Sequence, residues 1–232
     1  MKKFIAFLIF MVIFAGVVFA EFQLETSVGY FFNIDTYDSL KRSFNGLNLN
    51  ITPRYFFTKN IGLFFSGDFK AWFDADNSEY IRQFESAGMS VTIDDTVGFK
   101  LNLNVGLALA FPINQKFGLQ SDLGISFTVL YIESISGNVT TMGYRMSYGI
   151  FPDKVSSIGF FSSVFGRYLV SEQGGRHFLA FGLRMDFKFN RDESGEVIVA
   201  GISQKYSGKE SNFFGFSIAP FIGYMGSFLS KK

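Results

Sequence analysis

The sequence predicts an all-β protein: a closed antiparallel up-and-down transmembrane β-barrel of about ten strands, or eight if two weaker segments are discounted, preceded by a helical signal peptide. Three observations carry this. Apolar and polar residues alternate with a period of two over segments longer than a soluble strand. The polar positions hold Gly, Ala, Ser and Asn with few Lys or Glu, unlike a sheet surface in water. And 48% of the residues are hydrophobic, yet beyond residue 20 no apolar run reaches the length of a membrane helix. Strands are left to cross the bilayer.

Residues 1–20 read as the signal peptide and 21–232 as the barrel domain. Lys2 and Lys3 supply the positive start, Phe4 to Val18 is uninterruptedly apolar, and Val18-Phe19-Ala20 offers permissive residues for cleavage before Glu21. The chain has no Cys, so neither a lipid-anchored cysteine nor a disulfide framework is available. With Lys2 and Lys3 removed the charge is close to neutral, which gives no support for nucleic-acid binding.

Ten segments alternate. Phe22 to Phe32 sets Phe22, Leu24, Val28, Tyr30 and Phe32 against Gln23, Glu25, Ser27 and Gly29. Leu47 to Tyr55 and Ile61 to Phe73 follow, the second opposing Leu63, Phe65 and Phe69 to Ser66, Asp68, Lys70 and Trp72. Val97 to Phe111 is the clearest, with Leu101, Leu103, Val105 and Leu107 opposing Asn102, Asn104, Gly106 and Ala108. At about 3.4 Å per residue and a tilt of about 40°, such a strand rises roughly 35 to 40 Å, enough to cross an apolar band of about 25 Å. Phe117 to Tyr131, Met142 to Phe151 and Leu179 to Phe189 repeat the pattern. Ile158 to Val170 and Val197 to Tyr206 are mixed on both faces, and Phe213 to Phe228 closes the series.

A soluble ligand-binding barrel would alternate too, with its apolar face inward. Aromatic residues near strand ends favour the opposite arrangement: Phe99 and Phe111 bracket aliphatic residues, as do Phe117 and Tyr131, the spacing of two interfacial girdles. The connections 57–60, 112–116, 152–157 and 190–196 are short and read as periplasmic turns. Segments 33–44, 74–95, 132–141, 171–176 and 207–212 then read as outer loops, the first three longer. Met89, Val91 and Ile93 keep the phase of the strand after them, so that hairpin is expected to project above the membrane.

Over Glu21 to Lys232 the sequence resembles the small outer-membrane barrel proteins of diderm bacteria, and Phe221-Ile222-Gly223-Tyr224-Met225-Gly226-Ser227-Phe228 is similar to their aromatic last strand. The resemblance implies outer-membrane lipid and the outer-membrane assembly machinery as partners. Here Leu229-Ser230-Lys231-Lys232 follow the aromatic on which such chains end.

The inward charges expected from this phase are Glu25, Arg54, Asp68, Lys70, Lys100, Asp122, Arg145, Arg167, Arg184, Asp186 and Lys188. A charge inside a barrel must be paired or hydrated. Glu25 and Arg54 fall near the periplasmic ends of neighbouring strands and are expected to pair, while Asp68 adjoins Lys100 and Asn102. The basic excess favours anions if water passes; a plug of salt bridges is the competing outcome.

Conventional chemistry finds little purchase. His177 is the sole histidine, expected at the outer end of a strand as a rim residue beside Arg176, with no Ser at a suggestive spacing for acyl transfer or proteolysis. Asp94-Asp95 and Asp74, Asp76 and Glu79 lack calcium-loop spacing and read as a solvated loop. The glycosylation patterns at Asn50 and Asn138 are chance matches. No catalytic, cofactor or metal site is expected. The function expected is that of a non-enzymatic, porin-like outer-membrane barrel, a narrow passive channel or small-solute binder with a net-basic lumen. The alternative is a surface-exposed structural or adhesin-like barrel whose loops 33–44 and 74–95 meet a host-surface ligand; a barrel enzyme built on His177 ranks third.

Overall fold

The computed structural model describes residues 21–37, 40–86 and 88–229; the expected signal peptide lies outside the described residues. Eight strands close into one antiparallel up-and-down barrel. They are β1 (Glu21–Tyr37), β2 (Leu40–Phe56), β3 (Ile61–Asp76), β4 (Ser90–Pro112), β5 (Phe117–Thr141), β6 (Tyr144–Ser171), β7 (Arg176–Val199) and β8 (Ile202–Leu229). A short helix, α1 (Ser78–Ser86), sits between β3 and β4. β1 and β8 seal the wall from Glu21↔Leu229 to Thr36↔Phe214.

The expected count of ten becomes eight because two supposed turns are strand. Residues 152–157 join the segments on either side of them into β6, and 190–196 carry β7 on to Val199. Each hides a one-residue bulge, at Asp153 and at Asn190, which breaks the alternation without ending the strand. Asn190 takes the left-handed conformation, with φ 55°. The real turns are Met142-Gly143 (φ 49° and 81°) and Ala200-Gly201 (φ 51° and 80°). Two successive positive φ values make the tight hairpin whose twist matches antiparallel strands, and glycine holds the second place in both. Residues 132–141 and 207–212, expected as loops, are likewise strand, and so are most of 33–44.

One end of the barrel carries both described chain ends and the turns 57–60, 113–116 and 172–175. Asn114 shapes one of these turns, its side-chain oxygen accepting from the Lys116 and Phe117 amides at 2.9 and 2.8 Å. The connection 171–176, expected outside, therefore lies at this terminal end. So does His177, which pairs with Gly226.

Strand length divides the wall. β1 to β3 have 16 or 17 residues and β4 to β8 have 23 to 28. Roughly ten further residues per strand extend the β4–β8 side on the order of 25 Å past the other. At the base of this extension lie four bulges: Asp94 in β4, Val129 in β5, Asp153 in β6 and Asn190 in β7. A one-residue slip sends every following side chain to the opposite face. Below the bulges mainly polar residues point in; above them, past the charged layer of Glu133, Arg191 and Glu193, apolar residues do. Val91 is buried and Ile93 lines the interior, so the phase that these residues share with β4 in sequence is reversed in space.

Below the bulges the exterior is apolar. Leu47, Leu49 and Ile51 stand 63, 55 and 56% exposed, and Leu63, Val105, Leu107 and Leu123 join them. A soluble barrel would bury this face; a band of this extent outside a closed wall meets lipid.

Candidate binding site

The lumen is built in layers. Nearest the terminal end, the Arg54 guanidinium donates to both oxygens of Asp122 (2.9 and 2.6 Å) and to Glu25 (2.8 Å). Arg184 also pairs with Glu25 and donates to Ser27 Oγ at 2.7 Å. The two guanidiniums lie over Phe165 and Phe221, with ring centroids at 4.9 and 3.6 Å. At mid-height Lys70 bridges Asp68 (3.3 Å) and Asp186 (3.7 Å), Lys188 faces Asp186 at 3.7 Å, and Asn102 donates to Asp186 at 2.8 Å. Lys100 donates to Asn33 (2.9 Å) and makes no pair with Asp68, which takes Lys70 and Asn48 instead. Gln23, Asn48, Asn50, Asn102 and Gln120 are almost completely buried around these pairs. Eight strands leave an interior that side chains fill.

Of the eleven inward charges expected, ten are buried inside: Glu25, Arg54, Asp68, Lys70, Lys100, Asp122, Arg167, Arg184, Asp186 and Lys188. Arg145 is the correction. It stands next to the Met142-Gly143 hairpin and is exposed, because Asp153 has reversed the phase of β6 beneath it. Tyr131 is a second: placed in the outer girdle by sequence, it is buried inside, since Val129 reverses β5.

Among the described residues, five inward charges escaped the sequence reading: Asp35, Arg42, Glu133 and Arg191, all buried, and the partly exposed Glu193. Asp35 and Arg42 continue the phases of Glu25 and Arg54 and needed only longer strands. Glu133 and Arg191 lie just past bulges and carry no such signal. Together they form the top layer. Arg42 clasps Glu133 with two bonds, 2.5 and 2.8 Å, and donates to Asn77 at 2.8 Å. Trp72 Nε1 and the Tyr131 hydroxyl donate to the same carboxylate at 3.2 and 3.0 Å. Arg191 reaches Asp35 (3.7 Å) and Glu193 (2.6 Å). Phe44, Trp72 and Tyr131 stack beneath, with ring centroids 4.8 and 5.5 Å apart.

Above this layer the extension lines a partly open cavity of about 580 Å³. Its floor is Arg42, Glu133, Arg191 and Glu193. The walls are Val91 and Ile93 of β4, Ile135 and Val139 of β5, Met146 and Ile150 of β6, and Val197 and Val199 of β7. Tyr206 completes them from β8, donating to Glu193 at 2.6 Å; burial and that carboxylate hold its phenol well above the ordinary tyrosine range. Ile81 reaches the cavity from α1. Asp76 starts the helix by accepting the Ser78 amide at 3.0 Å, which lowers the Asp76 carboxyl from its usual value. Glu79 accepts the Lys41 amide at 2.6 Å and ties the helix to β2. These acids, expected as solvated loop residues, fasten α1 at the chamber's edge.

His177 is outside all of this. Its ring contacts the Tyr224 hydroxyl and the Gln173 carbonyl, the latter at 2.8 Å.

The architecture is that of a transmembrane β-barrel with a filled lumen and a raised, inverted rim. No protein-family model matches the chain, and no curated protein sequence does. Among solved structures it is similar to a major outer membrane protein from Thermus thermophilus (14% identity, TM-score 0.47, 90% of this chain and 99% of the other). It is also similar to Neisserial surface protein A (12%, 0.45, 89% and 97%) and to Ail, the attachment invasion locus protein of Yersinia pestis (14%, 0.36, 89% and 98%). The structures it is similar to are small outer-membrane β-barrel proteins.

Proposed function

We propose that this chain is an exported, non-enzymatic outer-membrane barrel that binds a small apolar molecule in the chamber above its closed lumen. The observation that carries the reading is the chamber itself: about 580 Å³, walled by aliphatic side chains and floored by charges already engaged with one another. Ligand sites of this size are mostly apolar with a few fixed polar groups, and aliphatic walls favour an apolar guest. The packed lumen argues against the passive channel. Export through residues 1–20 and insertion by machinery that reads 221–228 complete the proposal.

Trp72, the single tryptophan, lies just beneath the chamber floor, where it donates to the floor residue Glu133 at 3.2 Å. Bromododecane, whose bromine quenches indole across a short gap as well as in contact, is expected to quench Trp72 saturably through the floor in the detergent-solubilised barrel. Ile150→Glu, which places a carboxylate in the apolar wall, is expected to weaken that quenching at least tenfold. Planar-bilayer recording is expected to show no discrete conductance. Absence of saturable quenching in the native sequence would overturn the reading.

A second reading, contact with a host surface, draws on the outer face of the extension, where Ser134, Arg145, Ser147, Asp192, Ser203 and Lys205 are exposed. Loss of host-cell adhesion after substitutions on this face, with Trp72 quenching unchanged, would favour it.

A further inference from the structure

β5 and β6 pair from Phe117↔Tyr168 to Thr128↔Ser157, and again from Ile135↔Ile150 to Thr141↔Tyr144. Between these stretches 129–134 and 151–156 run side by side in unchanged register with no ladder between them. Among the described residues, gaps between paired stretches of the other strand pairs take at most three residues from a strand. The break belongs to this seam alone: on their far edges 130–134 pair with β4, and 151–156 pair with β7 apart from the bulged Asp153. Its causes are local. The bulges at Val129 and Asp153 kink both strands within the break, Val129 at its lower end and Asp153 three residues higher in the register, and Pro152 has no amide hydrogen to give.

The position of the seam gives it meaning. Glu133, Pro152 and Ile150 line the chamber on its inner side. On its outer side Leu130 and Ile132 are exposed, beside a half-exposed Phe151. An unclosed ladder is costly in hydrocarbon, and this one lies at the level of the bulges and above, at the edge of the lipid-facing band rather than within it. Here Leu130 and Ile132 continue the apolar outer band just above the bulges, so the seam joins the chamber to the edge of the membrane.

We infer that the β5–β6 seam is a lateral portal, through which an apolar molecule dissolved in the membrane passes to and from the chamber. The inference rests on the chamber being a ligand site, and it names the ligand as one that partitions into lipid rather than arriving from water.

The test uses the full barrel in lipid vesicles. Ser134 and Phe151 are opposed in the register that the flanking pairs define, and the chain has no native cysteine. The double variant S134C/F151C, oxidised to close the seam, is mixed with vesicles preloaded with bromododecane while Trp72 emission is followed. Closing the seam is expected to slow the onset of quenching at least tenfold and to leave its final extent unchanged. Reduction is expected to restore the native rate, which also shows that the variant is folded. A cross-link at Ile125 and Phe160, where the ladder is intact, is expected to change nothing. An oxidised seam that fills at the native rate overturns the portal and leaves the chamber standing. Absence of saturable quenching in the native barrel overturns the chamber itself.

Discussion

The two halves of this barrel are built from the same strands and obey opposite rules. In the membrane half, Glu25, Arg54 and Asp122 point inward and Leu47, Leu49 and Ile51 outward; in the extension, Val91, Ile135 and Ile150 point inward and Ser134, Arg145 and Ser147 outward. Period two makes both halves strand. The phase is set by the solvent outside, lipid in one case and water in the other. A chain crossing from lipid into water must therefore change phase, and a single extra residue does so without ending the strand. The inversion also explains the division of labour: a polar interior in the membrane half can only be filled or flooded, whereas an apolar interior in water makes a chamber with apolar walls.

The largest expected effect tests the membrane half. Arg54 satisfies Glu25 and Asp122 from a fully buried position. Arg54→Leu leaves two buried carboxylates without that partner, a kind of loss that costs about 3–5 kcal/mol. Urea unfolding of the vesicle-bound barrel should show it. A loss below about 1 kcal/mol would mean that the lumen is hydrated rather than filled.

A second experiment sets the outer faces against each other. Leu107→Arg places a charge on the lipid-facing wall and is expected to cost about 2–4 kcal/mol near the bilayer midplane. Ser147→Arg, outward on the extension beside the exposed Arg145, is expected to stay within about 0.5 kcal/mol. Equal costs at the two sites would remove the lipid–water boundary that the bulges are argued to mark.

The comparison also explains what the sequence could reveal. The membrane half was legible wherever alternation ran unbroken: Val97 to Phe111 faces as its two residue classes suggest, and Glu25 with Arg54 lies where their strand positions place them. The extension was not, because Asp153 and Asn190 resemble turn residues while acting as bulges, so the three strands β6 to β8 became five segments separated by supposed turns. That error inflated the count to ten, moved 171–176 to the wrong end and placed Arg145 inside. Tyr131 failed for the same reason at Val129. The chamber was invisible in principle, since its walls come from five strands whose inward residues are fixed only once every bulge is placed.

The smallest expected effect belongs to the chamber wall. Tyr206 is half-buried, and its hydroxyl donates to the Glu193 carboxylate, both of which disfavour the phenolate and raise its pKa above the ordinary value of 10.0. A group whose folded pKa is raised contributes stability that is fully present below its unfolded value and is lost as the pH rises through the folded one. The Tyr206–Glu193 contact should thus survive through the pH range in which exposed tyrosines ionise, and fail only above it. An ultraviolet tyrosinate titration of the native barrel minus that of Tyr206→Phe isolates one phenol among the ten. Its midpoint is expected above that of the exposed tyrosines, and the substitution should cost about 1 kcal/mol at neutral pH. A midpoint coinciding with the exposed tyrosines would place Tyr206 in water and open the chamber wall at β8. In the membrane half polar groups are held by one another; here one is held against an apolar wall, and the titration distinguishes the two.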